Sequence, residues 1–195
     1  LFGGGLAASS RVTGTLMMAL VFVGFIIFAW ELTKRRAAVV ISFLLLFFNG
    51  GLGFLYDFDL SGHDFSKITE IFTGYYQTPA NQPEYNLRWS NLVCDLLLPQ
   101  RTFLGGWTLL LPALYFARSA LRRHETRDYL LATLFASALP MVHTHSFAAL
   151  GLYCAGSCVY QFVADPENRR KLVRGAGMFL GLTLVCALPQ VISST

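Results

Sequence analysis

The sequence predicts an all-α protein, a polytopic transmembrane bundle of about six helices. Three observations predict it. First, 54% of the 195 residues are hydrophobic and only 13% are charged, about half the charge of an ordinary soluble domain. Second, the apolar residues fall into segments near the length that crosses a bilayer core, about 20 residues per helix. Third, the basic residues cluster in alternate loops, as a multi-pass topology requires. No alternating polar and apolar pattern supports a β-barrel.

The predicted helices run in order. Val12–Trp30 is the first, Ala37–Tyr56 the second and Phe103–Leu121 the third. Tyr129–Val142 and Phe147–Val163 form a short pair, and Leu172–Ile192 is the sixth. The chain opens at Leu1 without Met in a Gly-rich stretch and stops just past an apolar run. One transmembrane domain over 1–195, a fragment of a longer chain, is therefore expected, with an outer lid loop over 57–102 inside it.

Orientation follows from charge. Lys34, Arg35 and Arg36 follow the first helix, and Arg118, Arg122, Arg123 and Arg127 join the third to the fourth. Arg169, Arg170, Lys171 and Arg174 join the fifth to the sixth. These loops hold eleven of the 15 basic residues. The positive-inside rule places loops 31–36, 118–128 and 164–174 in the cytoplasm. Topology alone explains this basicity, so no nucleic-acid partner is inferred. A prokaryotic plasma membrane is the expected site, and the bilayer is the first partner. Four cysteines, three of them inside helices, imply packing rather than a disulfide framework.

The long outer loop carries Asp57, Asp59, Asp64, Glu70, Glu84 and Asp95, more structure than a connector needs. Within it, Phe65, Ile68, Ile71, Phe72, Tyr75 and Tyr76 recur at helical spacing. Ser61 and Asp64 suit its start. An amphipathic helix lying flat at the headgroups is expected there. A second stretch, "NLRWSNLVCDLLLPQR", ends at Pro99 before the third helix.

Candidate chemistry gathers on that outer side. Asp57 and Asp59 share a face if the chain is extended; they fit a divalent cation bridging a substrate phosphate, or else a solvated helix exit. Asp95 stands among apolar residues in "LVCDLLL", where an ionised carboxylate needs a partner or titrates higher. It reads as a general base or as half of a salt bridge with Arg88 or Arg101. His143 and His145, in "PMVHTHSF", have three readings: metal ligands, direct contacts to substrate, or caps on helix ends. Intramembrane ionisable residues mark function, and a recessed turn needs polar partners. His63 reads as surface, and His124 belongs to the cytoplasmic side.

The order of features resembles the GT-C class of polytopic membrane glycosyltransferases. The residues that carry the resemblance are "RRAAVVISFLLLFFNGGLGFLYDFDL", "NLVCDLLLPQRTFLGG" and "LPMVHTHSFAALGLY", spread over about residues 35–153. It implies transfer of a sugar from a polyprenyl-phosphate carrier to an acceptor on the extracytoplasmic face, with an outer-loop Asp as base. That role maps onto Asp57, Asp59 or Asp95. Arg88, Arg101, His143 and His145 would supply cationic groups for the donor phosphate. A multi-pass transporter or translocation component is the alternative, and a non-catalytic membrane scaffold is a third reading.

Overall fold

The computed structural model describes residues 5–49, 81–82, 87–88 and 91–194. It is all-α apart from one two-residue strand pair. Helix α1 covers Leu6–Thr33 and α2 covers Arg36–Phe47. Strands β1, Asn81–Gln82, and β2, Leu87–Arg88, pair antiparallel with Asn81 opposite Arg88. A π-helical turn, Leu92–Leu97, follows. Then come α3, Arg101–Arg123, α4, Thr126–Val142, α5, Thr144–Ala164, and α6, Arg169–Ser194. Each expected apolar segment contains a described helix. The second is helical only to Phe47, Phe48 and Asn49 leave the helix, and residues 50–56 lie outside the described residues, as does the expected interfacial helix.

Among the described residues, three helices are long and apolar enough to cross a membrane: Ser9–Thr33, Thr144–Ala164 and Arg169–Gln190. Only 11%, 6% and 17% of their most apolar windows are buried in the protein. Val12, Leu16, Leu152, Val159, Val163 and Val185 all point outward. That exposure is compatible with a membrane protein, since soluble monomers rarely expose contiguous apolar patches above a few hundred Å². Six spans were expected. Helix α4 has 17 residues, about 25 Å at 1.5 Å per residue, and α2 has 12. Helix α3 is long enough, but arginines at both ends dilute its apolar character.

The described residues group into two compact units, 40–100 and the remainder. In the larger unit α3 is the central helix, packed against α1, α4, α5 and α6. The sequence shows why it can be. Ala113, Ala117 and Ala120 lie fully or almost fully buried on α3, opposite Ala132 and Ala136 of α4, which have no exposed surface. Small residues four apart let helix backbones approach closely, which is how helices pack without a hydrophobic driving force between them. Leu110, Leu139 and Leu150 complete this core with Trp107, Phe135 and Phe147. Toward the other end Leu121, Tyr129 and Leu172 form a second cluster. Gly175 of α6 is required there: a Cβ would sit 2.3 Å from the Tyr129 ring.

The basic loops converge on one end of this unit. Glu31, near the end of α1, pairs with Lys34 and lies 3.3 Å from Nη1 of Arg122, at the end of α3. His124 Nε2 is 3.8 Å from Asp165 Oδ2, which ties the α3–α4 turn to the α5–α6 turn. Asp165 also accepts from the Asn168 amide at 2.9 Å. That bond, with His124 beside it, holds its carboxyl below the usual carboxylate range. Arg169 donates to the Phe162 carbonyl at 2.7 Å and its guanidinium lies over the Phe162 ring. Lys34 and His124 adopt the left-handed conformation, at φ 52° and 58°. Lys34 thereby ends α1 with its N–H on the Trp30 carbonyl.

Candidate functional site

The opposite end is built on the start of α3 and the α4–α5 turn. The turn is one residue, His143, whose extended backbone (φ −158°, ψ 94°) ends α4 and caps α5. Pro140 sits three residues earlier, and the His143 N–H closes α4 on the Leu139 carbonyl at 2.7 Å. The backbone N–H of Ser146 points at His143 Nδ1 from 3.3 Å, and Ser146 Oγ lies 2.8 Å from the same nitrogen. A ring nitrogen that receives an N–H is unprotonated, so the hydroxyl donates too and the ring proton sits on Nε2. The ring thus performs the N-cap task usually given to Ser, Thr, Asp or Asn.

Helix α3 holds the other side of the ring. Phe103 meets it edge-on, with centroids 5.1 Å apart. Gly106 lets the two elements touch, because a Cβ there would lie 2.5 Å from His143 Cβ. Burial in this contact, and then the neighbouring His145, lowers the His143 pKa from the ordinary imidazole value. His145 is exposed, 5.5 Å from His143 between ring centroids. Arg101 opens α3 two residues before Phe103, is exposed, and donates from Nη2 to Ser10 Oγ of α1. Of the two imidazoles, His143 is therefore a half-buried helix cap and His145 an exposed ring.

The remaining candidates stand as follows. Asp57, Asp59 and His63 lie outside the described residues. Arg88 and Asp95 belong to unit 40–100. Arg88 is in β2, and Asp95 is in the π-helical turn. In that unit Asn91 organises the turn: its Oδ1 accepts from the N–H groups of Val93 and Cys94, both at 2.9 Å. Its amide donates to the Phe47 carbonyl at 3.0 Å, while Asn49 Oδ1 accepts from Leu92 N–H at 3.0 Å. Two asparagines thus join the end of α2 to the start of the turn that carries Asp95. Among the described residues, no three His, Cys, Asp or Glu side chains gather as a metal site.

No family model, curated protein or solved structure matches this chain. Function is therefore argued from the arrangement of side chains.

Sequence reasoning passed over the other end of the bundle. Arg118 and Arg122 were counted only as topological charge. One helical turn apart on α3, they face Tyr153, Ser157, Tyr160 and Gln161 of α5 across a cavity of about 280 Å³. At the same end of the bundle, Asp128 in the first turn of α4 is buried and accepts from the Ser119 hydroxyl. The sequence signal was available: Arg118 and Arg122 are four apart, and Tyr153, Ser157, Tyr160 and Gln161 recur at the same helical spacing.

Proposed function

We propose that this protein is an integral membrane glycosyltransferase of GT-C type, with its three basic loops in the cytoplasm of a prokaryotic cell. It takes a sugar from a polyprenyl-phosphate carrier and passes it to an acceptor on the extracytoplasmic face. The observation that carries the reading is the separation of polar chemistry along α3. Arg101 and the His143–His145 turn share one end, while the basic loops occupy the other. A lipid-linked donor keeps its chain in the bilayer and its phosphosugar at that first end. Arg101 then offers positive charge, and the exposed His145 a ring N–H, to the phosphate as the leaving group departs. Arg88 is proposed as a further cationic group. Asp57, Asp59 or Asp95 takes the proton of the acceptor hydroxyl. If a divalent cation takes part, Asp57 and Asp59 are the proposed ligands, bridging to the donor phosphate.

The test is transfer by the full chain in proteoliposomes, with a labelled sugar on polyprenyl phosphate and acceptor on each side in turn. Transfer to external acceptor, abolished by one of Asp57→Asn, Asp59→Asn or Asp95→Asn and weakened by Arg101→Gln and His145→Ala, is expected. Transfer indifferent to all three aspartates would refute the assignment. Passage of a labelled solute without any transfer would move the protein to the transporters.

A further inference from the structure

The turn between α5 and α6 carries a hollow of its own. Helix α5 ends at Ala164 and α6 begins at Arg169. Phe162 of α5, with Arg169, Arg170, Val173 and Arg174 of α6, lines a space of about 400 Å³. All five residues are exposed, so the hollow opens outward; its two apolar members, Phe162 and Val173, are 43% and 59% accessible. Helical spacing produces this grouping. Arg170 and Arg174 are one turn apart, and Arg169 and Val173 form the neighbouring pair. Three guanidinium side chains and two apolar ones therefore line one and the same space.

The chain itself does little to neutralise those arginines. Elsewhere at this end acidic residues answer basic ones: Glu31 pairs with Lys34 and Arg122, and Asp165 lies against His124. Among the described residues Arg169, Arg170 and Arg174 form no ion pair, although Glu167 stands three residues before Arg170. Arg169 has a structural task. Its Nε donates to the Phe162 carbonyl at 2.7 Å and its guanidinium lies 4.7 Å over the Phe162 ring, which satisfies a carbonyl in the last turn of α5. No acidic residue occupies the first turn of α6. Arg169, Arg170 and Lys171 stand there instead, where the positive pole of the helix dipole repels them. An anion in the hollow offsets that repulsion. Topology asks only for basic residues in the loop; it does not ask for three arginines around an apolar floor.

The place of the hollow selects the kind of anion. Thr144–Ala164 and Arg169–Gln190 are both long and apolar enough to cross a membrane, and residues 165–168 join them at this turn. In a bilayer such a junction stands at the level of the head groups. The planar fork of a guanidinium fits the oxygens of a phosphate. A phosphate that belongs to a lipid also brings its glycerol and first methylenes against Phe162 and Val173. A soluble phosphate leaves that apolar floor in water, a cost with no return.

We propose that the hollow at the α5–α6 turn binds one anionic phospholipid of the leaflet on the basic side. Arg170 and Arg174 hold the phosphate, the Nη groups of Arg169 assist, and the upper end of the acyl chains rests on Phe162 and Val173. Basic pockets between membrane helices suit anionic head groups in this way. The proposal rests on the membrane reading of the chain and is independent of the transferase assignment.

The experiment reconstitutes the full chain in vesicles of equal parts phosphatidylcholine and phosphatidylglycerol. The vesicles are floated on a density gradient, gently extracted, and the protein is weighed by native mass spectrometry. Flotation tests the membrane reading by itself: a chain left in the soluble fraction refutes that reading and the proposal with it. Floated wild type should retain phosphatidylglycerol over phosphatidylcholine. Arg170→Gln combined with Arg174→Gln should lower that preference about twentyfold, at roughly fivefold for each basic charge lost. Arg123→Gln combined with Arg127→Gln removes the same charge from the exposed α3–α4 turn and should leave the preference unchanged. Val173→Asp puts a carboxylate on the floor with every arginine intact and should lower the preference too, so the result does not hang on one variant. A floated wild type without preference, or an unchanged preference in the Arg170–Arg174 variant, overturns the proposal. Equal losses in the two double variants overturn it as well, by assigning the preference to diffuse charge. Displacement of the lipid by glycerol phosphate does the same, by assigning the hollow to a soluble phosphoester.

Discussion

Substituting Gly106 by alanine adds one methyl group at the place where α3 touches the α4–α5 turn. The new Cβ would stand 2.5 Å from His143 Cβ, 2.9 Å from its Cγ and 3.2 Å from its Nδ1. Carbon pairs settle at about 3.5–4.0 Å, so the elements must part by about 1 Å. The histidine ring has little freedom to give way, being held by Ser146 on one side and Phe103 on the other. Overpacking of this kind costs about 1–3 kcal/mol. For a chain of this length that is a fall in unfolding midpoint of roughly 2–12 °C. The assay is thermal unfolding in mild detergent, followed by circular dichroism. Gly181→Ala is the internal control, because nothing lies within 4 Å of its Cβ position on exposed α6. There alanine removes a helix-propensity penalty of up to about 1 kcal/mol, and the midpoint should hold or rise. Equal midpoints for Gly106→Ala and Gly181→Ala would refute the close contact that places His143.

The capping role of His143 predicts a graded series. His143→Asn should keep α5 capped, and His143→Ala should cost about 0.5–2 kcal/mol in the same unfolding assay. The capping bond needs an unprotonated Nδ1, and burial with His145 nearby depresses the folded pKa. The ring's contribution is therefore fully present above the ordinary imidazole value of about 6.5. It is lost as pH falls through that value toward the folded one. Unfolding midpoints across this window should fall in wild type more than in His143→Asn, and equal slopes would contradict the cap. At the basic end, Ser119→Ala strips buried Asp128 of its hydroxyl donor and should cost about 1–3 kcal/mol. A denaturant midpoint equal to wild type would show that water replaces the hydroxyl.

Much of the all-helical architecture was legible because long, continuous apolar segments favour helices. Each segment named from composition contains a described helix; the second stops at Phe47, short of the expected Tyr56, and the first begins at Leu6 rather than Val12. Helix α5, for example, starts at Thr144 rather than Phe147, since His143 supplies a cap that propensity does not anticipate. The rank of the helices was harder to read. Leu and Phe dominate all the apolar segments, so hydrophobicity cannot say which helix is surrounded by others. The decisive signal for α3 is its small residues, Gly105, Gly106, Ala113, Ala117 and Ala120, all buried against neighbours. The histidine pair was legible as unusual, with capping as one of three readings, and choosing among them depends on Ser146 and on Phe103, forty residues earlier. Arg118 was hidden for the opposite reason. Its charge already had a topological explanation, and only the fold sets it facing Tyr153 and Ser157.

The central proposal is a bundle that crosses the membrane with the basic loops on one side and the His143–His145 turn on the other. Helix α5 connects the two directly, from Thr144 to Ala164, with His145 exposed near one end and Arg170 exposed just beyond the other. The most direct measurement is labelling by a membrane-impermeant maleimide of single cysteines placed at these two positions, in sealed cells, with the four natural cysteines replaced. His145→Cys should label in intact cells, and Arg170→Cys only after the membrane is opened. Labelling of both from the same side, or of Arg170→Cys alone from outside, would contradict the account.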